Sequence, residues 1–264
     1  MIARQYRVYD LGRPLEASTP VAPGHPNFRM ALMRRHGDVV RRDGSSSANE
    51  LISTSGHTGT HIDALAHFSK AGALHGGEDA AEASNGGRFK VHGAETIAPI
   101  VTRGVLLDVA AAEGSKALEP GRAITARDIV KTVKHHGVEV GKGDAVLFRT
   151  GWPVIRYLDE PVYVGWPTGV PGPDVSAALW LARRRIHVTG SDTIAYEWLA
   201  PGAGHGHLPV HVALLVDNGI HIIEVLDLEE LAADGVHEFL FVCSPLKVVG
   251  ATGSPVRPLA LVEA

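Results

Sequence analysis

From about residue 100 onward, short apolar runs alternate with amphipathic stretches. "GVLLDVA" reads as a short buried strand, and "DAVLFRTGW" as a strand ending in a glycine turn. "ITARDIVKTVKHHG" carries apolar residues at helical spacing, with Thr125 as N-cap, Asp128 three residues on and Gly137 as stop. "PDVSAALWLARRR" predicts a helix capped by Asp174, and "IHVTGSD" another strand. "LPVHVALLVDNG" predicts a helix closed by Asn218-Gly219. "IHIIEVLDLEEL" and "EFLFVCSPLKVVG" follow as further strands.

The first third is patterned differently. "STPVAPGHPNFRM" predicts an irregular arm, and "MRRHGDVVRRDGSSSANELISTS" a strand-turn-strand with its loop at "DGSSSAN". "SKAGALHGGEDAAEASNGGRF" reads as a long loop. Together these predict one α/β domain over residues 1–264, with an N-terminal arm of about 50 residues and a mixed sheet or closed β core.

Composition narrows the function classes. Of 264 residues, 45% are hydrophobic and 20% charged, the balance of a globular domain with a sizeable core. A net charge of −4 offers no basic surface for nucleic acid or an anionic membrane. No apolar run approaches the roughly 18 residues of a membrane span. "MIARQYRVYDLGRPLE" lacks the apolar core of a signal peptide, so the cytoplasm is the expected compartment. The single cysteine, Cys243, lies in "FLFVCSPL" and is expected to be buried. Fifteen histidines raise the expectation of a metal site without locating it.

"GHTGTHIDALAH" locates it. His57, His61, Asp63 and His67 are separated by even steps, so an extended chain would project all four to one side, whereas a single regular helix would split them. A strand or loop running into a helix could also converge them. Zinc and manganese take imidazole and carboxylate ligands. Gly56 and Gly59 allow the tight turning such a segment needs. His211, on the predicted helix, and Glu224, closing the apolar run "IHII", form a second candidate pair. Weaker candidates are Trp152, Trp166 and Phe28 as an aromatic pocket, and Asp192 as an orienter of a ligand histidine or a turn residue. His135, His136, His205 and His207 are expected to face solvent, and Ser191 and Ser254 sit in no nucleophile elbow.

"HTGTHIDALAH" resembles the H-x-G-T-H-x-D-x-P-x-H signature of the cyclase-type metal-dependent hydrolases, a family that includes kynurenine formamidases, isatin hydrolases and some polyketide cyclases. "GDAVLFRTGW", "GSDTIAYE", "PVHVALLVDNGIHIIEVLDLEEL" and "GATGSPVRPLAL" extend the likeness over nearly the whole chain. The resemblance implies a barrel-like β core of the family's swivelling β/α type with flanking helices, assembled as a homodimer or homotetramer. It implies one or two divalent ions, Zn2+ or Mn2+, the first on His57, His61 and Asp63. Asp63 would bridge to a second on His211 and Glu224, and His67 would be the catalytic acid/base. The expected activity is hydrolysis of a small amide, lactam or lactone. The alternatives are a metal-dependent cyclase or dehydratase of a polyketide-like substrate, and a non-catalytic metal-stabilised binding protein. Structural zinc sites are closed and usually rich in cysteine, which argues against the last.

Five residues at three places depart from the family pattern. Leu65 and Ala66 precede His67 where the signature has its proline. Ala22 and His25 in "TPVAPGH" stand where kynurenine formamidases carry a tryptophan and an acidic residue, so formylkynurenine is expected to be a poor substrate. Val212 stands where some single-metal relatives have glutamine.

Overall fold

The computed structural model describes residues 5–157 and 160–263. Its strands are β1 (Tyr6–Asp10), β2 (Arg29–Arg34), β3 (Asn49–Ser53), β4 (His61–Asp63), β5 (Ile100–Asp108), β6 (Ala123–Ile124) and β7 (Ala145–Arg149). They continue as β8 (Gly172–Pro173), β9 (Val188–Ser191), β10 (His221–Glu224), β11 (Glu238–Cys243), β12 (Gly253–Pro255) and β13 (Leu259–Glu263). One nine-stranded sheet has the order β1-β13-β11-β5-β7-β9-β10-β4-β12. Its centre, β5-β7-β9-β10, is parallel, and both flanks are antiparallel. The sheet curls into a half-barrel within a single α/β domain.

The continuous apolar runs follow from burial on both faces. Val105, Leu107, Val146 and Phe148 point to one face, under the helices Ala126–His136 and Val175–Arg184 and the helical segment from Pro209. Leu106, Ala145 and Leu147 point to the other, where Tyr9, Phe241, Ala260 and Leu231 pack. A third cluster of Trp152, Tyr163, Val170, Ile194, Leu199 and Val225 closes one end of the sheet.

Both long helices begin as their residues predict, and the first also ends so. Thr125 and Asp128 form a reciprocal capping box, and Gly137 takes the left-handed conformation at φ 67°. The Asp174 carboxylate accepts the backbone N–H of Ala177. Among the described residues no helix is long and apolar enough to cross a membrane, and Cys243 is buried.

Four expectations need correction. "IHIIEVLDLEEL" is a strand only as far as Glu224, and "LEEL" turns into the short helix Glu229–Ala233, whose Leu231 closes the second core. "EFLFVCSPLKVVG" is a strand only to Cys243. The segment after the histidine cluster is no bare loop: Asp79 caps the helix Ala80–Ser84. The predicted helix over 209–218 widens into a π turn at Val212–Val216, beginning directly after His211.

Candidate metal centre

Parity decides which way β4 presents its three side chains. Ile62 turns into the core opposite Ile223, so His61 and Asp63 turn to the other face. The register sets Glu224 directly across from His61, which brings both to one face. His211 reaches that face from Pro209–His211, and His57 from the turn before β4. All five are buried. The glycines permit this crowding. A Cβ at Gly56 would lie 2.6 Å from the Gly253 carbonyl oxygen, and Gly59 adopts φ 64°.

The distances define two overlapping groups. His57, His61 and Asp63 form one, and Asp63, His67 and His211 the other; within each, one potential ligand atom per residue lies within 4.8 Å of the rest. Asp63 is common to both. His61 Nε2 lies 3.5 Å from Asp63 Oδ1 and 3.4 Å from Glu224 Oε2. His211 Nε2 lies 3.3 Å from Glu224 Oε1 and 3.7 Å from Asp63 Oδ2. The half-buried His67 ring stacks on His57 with centroids 4.0 Å apart.

Protonation sharpens the picture. His61 Nδ1–H donates to the Gly59 carbonyl at 2.8 Å, and burial pushes the imidazole down to about 4. Its Nε2 is therefore a bare lone pair facing two carboxylate oxygens. Asp63 Oδ2 is buried with no hydrogen-bond partner. Burial opposes ionisation of Asp63, but His67 beside it and the hydrogen bond from His57 hold its carboxyl well below the usual range. Burial, with the Asp63 charge adding to it against the hydrogen bond from His211, pushes Glu224 up to about 7. Acceptors aimed at acceptors in a dry site are costly, and a cation between them removes the cost. The donor set, two or three imidazoles with carboxylates and no thiolate, suits zinc or manganese.

His57 Nδ1–H donates to Asp63 Oδ1 at 2.9 Å, and Thr252 Oγ1–H donates to His57 Nε2 at 2.9 Å. An ion held by both His57 and Asp63 would take the place of their shared proton. Burial alone would lower His211, but its hydrogen bonds to Glu197 and Glu224 raise it to about 10. Ligation through Nε2 would therefore displace a proton.

Glu197 was missed by reasoning from sequence. It is buried, and its Oε1 accepts His211 Nδ1–H at 2.6 Å and the His211 backbone N–H at 2.9 Å. Its Oε2 accepts the Val210 N–H at 3.0 Å. This is the outer carboxylate that fixes a histidine's tautomer and aims its other nitrogen. Two non-glycine residues with positive φ adjoin the carboxylates: Tyr196 at 54° before Glu197, and Val225 at 57° after Glu224. Each costs on the order of 1–3 kcal/mol, borne where the site needs its geometry. Thr60 Oγ1–H holds the Val225 carbonyl at 2.7 Å.

The remaining candidates resolve plainly. Asp192 orients no histidine; it accepts the N–H groups of Thr150 and Gly151 and the Thr150 hydroxyl, fixing the turn after β7. Trp152 is core, its indole N–H donating to the Tyr163 carbonyl, while Trp166 is exposed and Phe28 half-buried. None of the three lines the mouth of the site. Ala22, His25, Ile194, Ala195, His205 and Leu208 do. His205 is thus not solvent-facing as expected; it is half-buried and donates from Nε2 to the Val164 carbonyl. His136 likewise donates to the Asp108 carbonyl, and His135 and His207 are exposed.

Residues 9–198 match the model of the family described as putative cyclase. The chain belongs to the putative cyclase family. That match ends before His211 and Glu224, but a curated relative extends across them. An isatin hydrolase from Roseibium aggregatum is 28% identical over 268 residues, covering 99% of this chain and 94% of that protein. A kynurenine formamidase from Sphingopyxis alaskensis is 37% identical over 67 residues, 25% of this chain and 30% of that protein. A solved structure described as a novel cyclase superposes with a TM-score of 0.86 at 28% identity, covering 97% of this chain and 89% of that one. Isatin hydrolase A from Ralstonia solanacearum superposes at 0.73 with 26% identity, over 98% and 92%. The structural likeness to that cyclase thus extends over 97% of the chain.

Proposed function

We propose that this putative cyclase family member is a metal-dependent hydrolase that opens the C–N bond of a small lactam or aryl amide, or the matching bond of a lactone. The observation that carries the reading is the bare His61 Nε2 between Asp63 and Glu224, beside the orphaned Asp63 Oδ2. The cyclic amide is favoured by the full-length likeness to an isatin hydrolase. A bound divalent ion supplies an activated water and a Lewis acid for the carbonyl oxygen.

The chain's own groups do the rest. His57, His61 and Asp63 would hold the primary ion, and His211 and Glu224, with Asp63 beside them, would hold a second. Glu197 keeps the His211 proton on Nδ1, leaving Nε2 to ligate. Burial pushes His67 down to about 3, so its imidazole is neutral at pH 7 and free to take a proton. It then passes that proton to the leaving nitrogen. The cavity among these residues is about 40 Å³, about the share of one water molecule in the liquid. The reacting carbonyl fits there, and Ala22, Ile194 and Leu208 belong to the apolar part of the same lining.

The test is a panel of lactams, aryl amides and lactones. Activity is expected to vanish on chelation and return with Zn2+ or Mn2+; full activity in metal-free protein sinks the proposal. Formylkynurenine is expected to be a poor substrate, because Ala22 offers no ring to the mouth. Ala22→Trp is expected to shift the ratio of kcat/KM between formylkynurenine and the best cyclic substrate by about tenfold, the scale of one aromatic contact plus its burial.

A further inference from the structure

His221 opens β10, and strand parity sets its side chain apart from the metal centre. Ile223, two residues on, packs into the second core opposite Ile62, whereas Glu224 turns to the metal face with His61. His221 shares the face of Ile223. It belongs to neither group of potential ligand atoms. Its half-buried ring instead places Nδ1 2.8 Å from the backbone carbonyl of Asp63. A carbonyl only accepts, so Nδ1 carries the proton and donates.

This bond falls where β4 runs out of support. Its pairing with β10 joins Glu224 to His61 and Ile223 to Ile62 and stops before Asp63. β4 is only three residues long, and beyond Asp63 the chain turns into the one-turn helix Leu65–His67. The peptide plane between Asp63 and Ala64 is the pivot. The structure clamps it at both ends. Ala64 N–H donates to the Thr252 carbonyl at 2.9 Å, and the Asp63 carbonyl accepts from His221.

Given the ligand role proposed for Asp63, on which this rests, we infer that His221 is a positioning residue of the metal centre. Through the Asp63 carbonyl it fixes the plane that carries the shared carboxylate on one side and the His67 turn on the other, without touching an ion. Without it the plane is held at the Ala64 end alone. Asp63 is common to both groups of ligand atoms, so a tilt of this plane displaces it from both.

The experiment moves the donor atom and reads Zn2+ affinity of the full chain by competition with a fluorescent chelator. Asparagine carries its Nδ2 as many bonds from the backbone as histidine carries Nδ1. Glutamine carries its amide one bond farther out, and leucine has no donor. His221→Leu and His221→Gln are expected to bind Zn2+ about 10–100-fold more weakly than wild type, the range for outer partners of metal ligands. His221→Asn is expected to bind nearly as wild type does. A packing role predicts the opposite order, with leucine tolerated best beside the apolar core. Leucine and asparagine variants of equal affinity, or melting temperatures that fall while affinity holds, overturn the positioning role and leave the metal centre standing. A wild type that binds no Zn2+ overturns both. If the leucine variant fails to fold, asparagine against glutamine decides, and equal affinities there overturn the inference.

Discussion

Glu197 shows how much at this site rests on single atoms. One carboxylate takes the imidazole proton and two backbone N–H groups, at 2.6, 2.9 and 3.0 Å. A glutamine there keeps the shape but sets an NH2 against one of those donors. Glu197→Gln is therefore expected to weaken metal binding by about 10–100-fold, the range for outer-shell partners of ligand histidines. Competition with a fluorescent chelator reads this directly. A melting temperature lowered with metal affinity unchanged would make Glu197 a structural residue only. Sequence alone hid this residue because "GSDTIAYE" carries no ligand spacing, and the link to His211 is made in space across fourteen positions.

Among the elements, the helix Ala126–His136 was legible almost residue by residue, since its cap, acidic N3 and terminal glycine are local signals. The same capping box has a pH signature. Burial would raise Asp128, but the Thr125 N–H and hydroxyl and the Arg122 guanidinium hold its carboxyl below the ordinary value. A depressed carboxyl stabilises the fold above its unfolded value of about 4, and that stability is lost as pH falls through the folded value. Asp128→Asn is expected to cost about 1 kcal/mol at pH 7, with the gap to wild type narrowing as pH falls below about 4. Urea unfolding at pH 7 and pH 3.5 measures both, and a gap that widens in acid contradicts the assignment. Strand limits were less legible. "LDLEEL" carries apolar residues that serve a strand or a helix equally, and only packing of Leu231 into the second core decides for the helix. The π turn after His211 leaves no mark in apolar periodicity either.

For the molecule as a whole, an α/β domain with a mixed sheet was readable from alternating strand and helix patterns, while the half-barrel depends on a strand order no local pattern encodes. The even spacing of His57, His61, Asp63 and His67 left open an extended segment or a strand running into a helix, and β4 delivers His61 and Asp63 as a strand. His57 arrives from the preceding turn and His67 from the one-turn 3₁₀ helix that follows. That second detail sets His67 among the atoms of the Asp63–His211 group, so the proposed part as proton shuttle and a part as ligand are separable only by removing it.

Metal content and turnover of His61→Ala and His67→Ala, measured side by side on the best substrate of the panel, test the central claim most directly. His61→Ala is expected to lose the primary ion, because it removes the nitrogen that faces both carboxylates. His67→Ala is expected to keep the primary ion while kcat falls on the order of 10²-fold or more. A His61→Ala protein that retains its full metal content, or a His67→Ala protein that loses the primary ion, would contradict the account.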